Sequence, residues 1–351
     1  MGDTGPVAAS GSGGAGLGRV RVAVDVLGGD RAPEEIVAGA HAASSDTIAP
    51  ILFGPRGLDT LGLPLVETTE VVEMDEHPVQ AVRGKPDSSL VRSVKAVADG
   101  EADTVVSAGS TGAMLAAALL HIRRLQGVHR PAIAVVLPAR RRPSVLIDAG
   151  ANADARPEHL LQFAHMGYVF AHEILGAAEP EIRLLSIGEE DEKGNQLTLE
   201  ANGLLRASSL PFAGNTESRS LLEGEADVVV TDGFTGNVAL KALEGTIRSI
   251  QQSLRAELES TARGRLGGLL IRPAARRVRD LLDPETYGGA YLLGLRGLVV
   301  IAHGSSSRVA IANAIRLGAR GVEHDVVARL AQRLPRGVLA SARSTTPMAQ
   351  K

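Results

Sequence analysis

The sequence predicts an α/β fold: a three-layer α/β/α domain with a mostly parallel sheet and a protruding helical segment. Six short apolar runs of the type that forms buried strands each end in a polar turn that contains glycine. Helical patterns follow several of these turns, and one long helical stretch, residues 238–282, interrupts the alternation. Strands that alternate with helices favour a parallel sheet covered on both faces.

The first three units each contain a strand, a glycine turn and a helix. Pro33 and the two glutamates after it suit the first turn of the first helix. The strands are at 20–26, 104–106 and 145–147, the turns at 25–30, 107–112 and 148–152, and the helices at about 33–43, 113–125 and 157–175.

The last three units have the same strand-and-turn pattern, and a final pair of helices follows them. Because ligands of such sheets bind outside the carboxyl ends of the strands, we expect all six turns along one ligand-binding edge. The strands are at 184–187, 228–230 and 299–301, and they end in turns at 188–190, 231–237 and 302–306.

The composition limits where the protein acts and what it binds. Among 351 residues there is no cysteine, which excludes disulfides, thiolate metal sites and a cysteine nucleophile. The formal net charge of -3 offers no general attraction to nucleic acid, so we expect no nucleic-acid partner. The most apolar helical candidate, 113–122, is about half the roughly 20 residues that span a bilayer, so we expect no segment to cross a membrane. The lack of cysteine gives no sign of an oxidising compartment, so we expect a cytoplasmic protein.

We expect one α/β domain over residues 19–334. Residues 1–18 are rich in Gly, Ser and Ala and lack the basic and apolar regions of a signal peptide, so they are expected to form a disordered extension. Residues 335–351 turn polar and low in complexity, which predicts a flexible tail.

The glycine turns suggest a small phosphate ligand. Glycine allows close backbone approach, and a helix that starts just beyond a turn points free N–H groups at an anion. Turns 107–112 and 231–237 are the best cradles, because they add hydroxyl and amide donors, although glycines can also serve tight connections alone. The first strand has no Gly-x-Gly-x-x-Gly turn and no Walker-type Gly-Lys-Ser/Thr occurs, so we expect no nucleotide cofactor.

The acidic side chains of these turns are dispersed and lack histidine partners at ligand spacing, which predicts structural or capping roles and no metal. These are Asp25, Asp30, Asp148 and Asp232. Asn152, Asn195 and Asn237 each close a glycine turn, where an asparagine either caps a helix or meets a ligand.

Two further side chains have chemistry suited to a reaction on this edge. His303 follows an apolar strand and is either a turn residue or a proton donor. Lys193 stands among acidic residues and is either a solvated ion pair or a contact for an anionic oxygen.

A basic amphipathic segment at about 259–283 forms the predicted protrusion. Its arginines interleave with aliphatic residues, a pattern typical of contact with an anionic membrane or an acidic partner, and also of a dimer helix. The glycines at 264, 267 and 268 and the proline at 273 argue against one long regular helix. The residues expected to make the membrane or carrier contact are Arg265, Leu269, Leu270, Ile271, Arg272 and Arg276.

Seven motifs, in order over about residues 20–320, resemble the phosphate acyltransferases of bacterial phospholipid synthesis, the PlsX family. The motifs are DVLGGD at 25–30, SAGSTGA at 107–113, DAGAN at 148–152 with PEH at 157–159, GEEDEKGN at 188–195, DVVVTDGFTGN at 227–237, YGGA at 287–290 and AHGSS at 302–306.

The resemblance implies a Rossmann-like fold and transfer of a long-chain fatty acyl group from acyl carrier protein to inorganic phosphate. It also implies a homodimer, no metal or nucleotide cofactor, and delivery of acyl phosphate to a membrane glycerol-3-phosphate acyltransferase from a peripheral membrane position. Alternatives are a phosphotransacetylase that uses coenzyme A, a metal-dependent hydroxyacid dehydrogenase, and a non-catalytic module that binds acyl chains or phosphate.

On this reading, Asn237 and Lys193 stabilise an oxyanion and His303 protonates the departing thiolate. The residues expected to bind phosphate or substrate are Asp25, Gly28, Gly29, Asp30, Ser107, Gly109, Ser110, Thr111, Gly112, Asn152, Asn195, Asp232, Gly233, Thr235, Gly236, Gly304 and Ser305.

Overall fold

The computed structural model describes residues 18–282 and 288–334. The predicted extension before Gly18, the predicted tail at 335–351 and Tyr287 of the YGGA motif lie outside these residues. The strands are β1 Val20–Asp25, β2 Ile48–Gly54, β3 Leu65–Glu67, β4 Thr104–Ser107, β5 Ala132–Leu137, β6 Ser144–Ile147, β7 Ile182–Leu185, β8 Phe212–Thr216, β9 Val228–Val230, β10 Ala290–Leu293 and β11 Leu298–Ile301. The helices are α1 Glu34–Ala43, α2 Pro78–Gly84, α3 Ser89–Ala98, α4 Thr111–His121, α5 Pro157–Ile174, α6 Gln196–Arg206, α7 Gly233–Ser260, α8 Ala262–Leu282, α9 Arg308–Glu323 and α10 Val326–Arg333.

The described strands form one 11-stranded sheet in the order β3-β2-β1-β4-β11-β10-β5-β6-β9-β7-β8. Most neighbouring pairs are parallel, so the predicted α/β fold with a mostly parallel sheet is confirmed. All six predicted strands are present. The fourth is shifted, because β7 ends at Leu185 and the side chain of Ile187 is 80% exposed.

The prediction that all six turns share one edge of the sheet is wrong. Strand β10 is antiparallel to both β11 and β5, and β5 is antiparallel to β6. These pairings reverse the chain direction between the half that contains β1, β4 and β11 and the half that contains β6, β7 and β9. The six turns therefore fall into two sets at opposite strand ends. The first set follows β1, β4 and β11, and the second set follows β6, β7 and β9.

Two apolar cores lie on the two faces of the sheet. Along β1, Val22 and Val24 join a core with residues of α1, α5, α9 and α10, whereas Ala23 between them joins a core with α3 and α4. This alternation is the period of two that a strand buried on both faces produces. Side chains at the start of α7, such as Leu240, pack against the second core, so α4 and α7 cover the same face.

Helices α7 and α8 pack against each other, and only Gly233 and Gly236 of α7 are buried. Contrary to the expectation from its glycines and proline, α8 is a continuous helix with Pro273 inside it. The break falls instead at Thr261, whose hydroxyl accepts the Gly264 N–H at 2.9 Å and caps α8. A Cβ at Gly264 would lie 2.7 Å from the Leu258 carbonyl oxygen, so glycine permits the tight corner.

Candidate active site

The first set of turns is built around a buried carboxylate. Asp25, at the end of β1, is 1% exposed and accepts hydrogen bonds from the hydroxyls of Ser89 at 2.5 Å and Ser107 at 2.6 Å. Burial raises the pKa of Asp25, although both hydroxyls act to lower it. A Cβ at Gly28 would lie 2.5 Å from this carboxylate and 2.7 Å from the Gly109 nitrogen. Glycine at position 28 therefore lets the turn after β1 pack directly against the turn after β4.

The turn after β11 closes this set. The Asp30 N–H donates to the Gly304 carbonyl at 2.7 Å, and Gly29 has a φ of +108° that favours glycine. The His303 Nδ1 accepts the Ser305 N–H at 3.2 Å and lies 2.8 Å from the Ser305 hydroxyl. Because Nδ1 accepts, the neutral ring carries its proton on Nε2. The exposed His303 thus has a ring N–H available to donate.

The predicted phosphate cradle at 107–112 has fewer free donors than its sequence suggested. The Ser107 hydroxyl donates to Asp25 and accepts the Gly109 N–H at 3.0 Å. The Ser110 hydroxyl caps α4 by accepting the Ala113 N–H at 3.4 Å. Among the described residues Thr111 is exposed without a hydrogen-bond partner for its hydroxyl, and it stands at the positive end of α4.

The second set of turns is built around Asp148, which is fully buried at the end of β6. Its Oδ1 accepts the N–H groups of Ile133, Gly150 and Ala151 at 3.0, 3.1 and 2.9 Å. Its Oδ2 accepts the Asn152 N–H and side-chain amide, both at 2.7 Å. Five donors satisfy this carboxylate, so Asp148 has the structural role that the sequence predicted.

Asn152 braces the same turn and is not available as a ligand donor. Its side-chain nitrogen donates one hydrogen to Asp148 and the other to the Pro131 carbonyl at 2.8 Å. Its own carbonyl accepts the Gly233 N–H at 2.8 Å. Both amide hydrogens are used within the protein, so the Asn152 side chain has no N–H left to donate to a ligand.

Asn237 has the free amide that Asn152 lacks. It lies in the first turn of α7, half-buried, and a Cβ at Gly150 would lie 2.7 Å from its Nδ2. No described residue hydrogen-bonds to this side chain. A Cβ at Gly236 would lie 2.0 Å from the Asp148 carbonyl oxygen, so glycine there lets α7 start directly against the Asp148 turn. Asp232 caps α7 by accepting the Thr235 N–H at 2.9 Å.

The loop after β7 brings Lys193 to the same strand ends, because β7 pairs with β9. The loop is closed by hydrogen bonds from the Ser186 hydroxyl to the Lys193 carbonyl at 2.9 Å and from the Lys193 N–H to the Glu190 carbonyl. The Lys193 ammonium is exposed and has no carboxylate within ion-pair distance among the described residues. Asn195 has the alternative role named for it, because its side-chain oxygen caps α6 by accepting the Thr198 N–H at 2.9 Å.

The structure therefore brings Lys193 and Asn237 to neighbouring strand ends and leaves His303 in the first set. No hydrogen bond between described residues joins the two sets. Both helix starts, at Thr111 of α4 and Gly233 of α7, nevertheless border the same face of the sheet.

The structure also contains a basic groove of about 860 Å³ that was not predicted from the sequence. We call it the arginine groove. It adjoins the second set of turns, because its lining includes Pro131, whose carbonyl accepts a hydrogen bond from Asn152, and Asp154, two residues after Asn152. The sequence does contain a sign of this basic surface, because no acidic residue occurs between Asp103 and Asp148. The groove is lined by Leu119, Arg124, His129, Arg130, Pro131, Asp154, Ala155, Arg156 and His159.

Helix α8 exposes the predicted contact residues. Leu269, Leu270 and Ile271 are 64%, 77% and 42% exposed, and Arg265 and Arg272 are exposed beside them. Arg276 is exposed one turn further on. No described helix has both the length and the apolar character needed to cross a bilayer.

Comparisons with a family model and with individual relatives agree on the family to which this chain is similar. A sequence model of the family described as "Fatty acid synthesis protein" matches residues 20–329. The chain is 46% identical over 328 residues to a phosphate acyltransferase of Desulfitobacterium hafniense (strain DSM 10664 / DCB-2), covering 90% of this chain and 98% of the relative. It is 44% identical over 328 residues to a phosphate acyltransferase of Heliobacterium modesticaldum, again covering 90% of this chain and 98% of the relative.

Solved structures with the same fold are more distant in sequence. A branched-chain phosphotransacylase from Enterococcus faecalis V583 superposes with a TM-score of 0.58 at 17% identity, covering 87% of this chain and 99% of that chain. The EutD phosphotransacetylase from Staphylococcus aureus gives a TM-score of 0.56 at 18% identity, covering 87% and 96%. At this identity the likeness is one of fold.

Proposed function

The chain belongs to the fatty acid synthesis protein family, and we propose that it transfers a long-chain acyl group from the thioester of acyl carrier protein to inorganic phosphate. The observation that carries this proposal is identity of 44–46% to proteins named phosphate acyltransferase over nearly their whole length. The products are acyl phosphate and the free thiol of the carrier.

In the proposed reaction, a phosphate oxygen attacks the thioester carbon, and the carbonyl oxygen becomes an oxyanion. The free Asn237 amide and the unpaired Lys193 ammonium lie at neighbouring strand ends, where both can donate to that oxygen. One well-placed donor of this kind is worth about 2.7–4 kcal/mol in the transition state. The oxyanion then collapses, the C–S bond breaks, and the thiolate takes a proton.

We propose that phosphate and thioester meet between the two sets of turns. Strands of a twisted sheet rotate by roughly 20–25° from one to the next, so β9 is turned by roughly 100–125° relative to β4. This rotation lets the ends of oppositely directed strands converge on the face that α4 and α7 cover. Thr111 and the start of α4 would then hold phosphate, and the His303 Nε2–H would supply the thiolate proton.

The test is steady-state release of free carrier thiol from a long-chain acyl carrier protein, with and without inorganic phosphate, without added metal or nucleotide. We expect release that depends on phosphate. Carrier binding without release would support the non-catalytic module. Efficient release from acyl coenzyme A and none from the acyl carrier would support the phosphotransacetylase alternative.

We further propose that the protein is cytoplasmic and attaches to the membrane surface through α8. The exposed Leu269, Leu270 and Ile271 beside arginines support insertion at an anionic lipid surface. Changing these three residues to serine should abolish flotation with anionic vesicles. A matched control changes the exposed Leu120, Leu199 and Val309 to serine and should float as the wild type does. Undiminished flotation of the α8 variant would contradict this role.

We also propose two protein partners for this chain, both expected from the family resemblance. A second copy of the chain would form a homodimer, which light scattering on the purified protein tests. A membrane glycerol-3-phosphate acyltransferase would consume the acyl phosphate, and attachment through α8 would bring the two enzymes to the same surface.

A further inference from the structure

The arginine groove has an excess of positive charge that the protein itself does not neutralise. The guanidinium groups of Arg124, Arg130 and Arg156 make no ion pair with any described carboxylate, and Asp154 is the one acidic residue of the lining. Other exposed arginines are neutralised within the protein, as Arg308 is by Glu35 and Arg140 by Glu223. In a chain with a formal net charge of -3, three unpaired guanidiniums in one groove favour an anionic occupant.

The walls of the groove are held in place by hydrogen bonds. The Arg124 guanidinium donates to the His129 carbonyl, and the His129 N–H donates to the Gln162 side chain at 3.0 Å. The His159 Nδ1 accepts the Arg156 N–H at 3.2 Å. Burial, together with the nearby charge of Arg130, lowers the pKa of His159, so its ring is neutral with the proton on Nε2. The groove thus offers a neutral donor beside the guanidiniums.

The groove is connected to the proposed oxyanion donor through direct contacts. Pro131, in its lining, accepts a hydrogen bond from Asn152, and Asn152 is bonded to Asp148. The Asp148 turn continues to Gly150, over which the Asn237 amide lies. A ligand in the groove therefore lies beside the turn that positions Asn237.

We propose that the arginine groove binds the phosphate-bearing pantetheine arm of the acyl donor, with the phosphate at Arg130 and Arg156 and the thioester directed towards Asn237. A volume of about 860 Å³ far exceeds what inorganic phosphate fills and lies within the roughly 300–1,000 Å³ typical of organic ligands. Leu119, Pro131 and Ala155 add apolar surface for the amide and alkyl parts of the arm. This inference rests on the proposed function, and carrier proteins and coenzyme A share the arm.

A binding assay tests the groove without turnover. Fluorescence anisotropy would compare a labelled carrier protein with its arm and without it. The wild type should bind the carrier with its arm roughly tenfold more tightly. Arg130→Ala/Arg156→Ala should bind both forms alike. Arg83→Ala/Arg141→Ala removes two exposed arginines outside the groove and should behave as the wild type does. A groove variant that keeps the preference would overturn the inference, and so would equal weakening of both carrier forms, which indicates contact with the carrier surface.

Competition distinguishes the two sources of the arm. Free 4′-phosphopantetheine should displace the carrier from the wild type, and pantetheine without phosphate should not. Competition by coenzyme A as well would mean that the groove also accepts an arm extended by a nucleotide. If phosphopantetheine fails to compete, the inference is wrong.

The transfer assay separates failure of this inference from failure of the proposed function. Arg130→Ala/Arg156→Ala should raise the KM for the acyl carrier about tenfold and leave the KM for phosphate unchanged. An unchanged carrier KM in an active variant would overturn the groove assignment alone. Absence of phosphate-dependent transfer by the wild type would overturn the proposed function, whatever the binding assay shows.

Discussion

Replacing Gly236 by alanine tests how α7 is seated against the Asp148 turn. The new Cβ would lie 2.0 Å from the Asp148 carbonyl oxygen, whereas ordinary contacts begin near 3.4 Å, so the start of the helix must move by about 1 Å or more. Overpacking of this kind costs about 1–3 kcal/mol. Alanine regains about 0.5–1 kcal/mol of helix propensity, so we expect a net loss of stability of up to about 2.5 kcal/mol.

The same helix supplies a matched control. A Cβ at Gly245 would have nothing but its own helix backbone within 4 Å, so Gly245→Ala should stabilise the protein by about 0.5–1 kcal/mol. Thermal unfolding of both variants would measure the opposite signs. The shift of the neighbouring Asn237 should also lower the kcat of Gly236→Ala about 10²-fold, with Gly245→Ala unaffected. Stabilisation by both substitutions would refute the seating of α7.

Three further predictions concern single side chains. Asn237→Ala should lower kcat by about 10²–10³-fold because the oxyanion loses a donor, and an unchanged kcat would remove that role. His303→Gln should slow thiol release because glutamine cannot supply a proton, and turnover equal to the wild type at every pH would contradict this. Burial lowers the pKa of His165 from 6.5 to about 4, so the unfolded chain binds this proton more readily between those values. Stability should therefore fall as pH drops through that window, and His165→Gln should fall less steeply; equal slopes of melting temperature against pH would count against it.

Local sequence patterns predicted most of the strands and helices of the strand-turn-helix units. Strand β9 at 228–230 has its predicted bounds, and α1 begins one residue after the predicted start at Pro33. These elements are specified by apolar runs and helix-start residues within their own segments. The residues of a strand do not specify its direction in the sheet. The antiparallel pairing of β5 with β6 could therefore not be predicted, and the division of the turns into two sets was missed with it.

The roles of side chains depended on partners that are distant in sequence. Asn152 and Asn237 look alike in sequence, since each closes a glycine turn. Only the fold brings the Pro131 carbonyl to Asn152, which uses its amide, and leaves the amide of Asn237 free. The arginine groove was missed for a similar reason: Arg124 and Arg130 share the loop between α4 and β5, and only the fold brings Arg156, at the start of α5, beside them.

The central claim is that phosphate receives the acyl group, and isotope transfer tests it most directly. The protein would be incubated with long-chain acyl carrier protein and radiolabelled inorganic phosphate, and the labelled product extracted into organic solvent and compared with the free thiol formed. We predict equal amounts of labelled acyl phosphate and free carrier thiol. Thiol release without label in the organic phase would mean that water, not phosphate, takes the acyl group, and would contradict the claim.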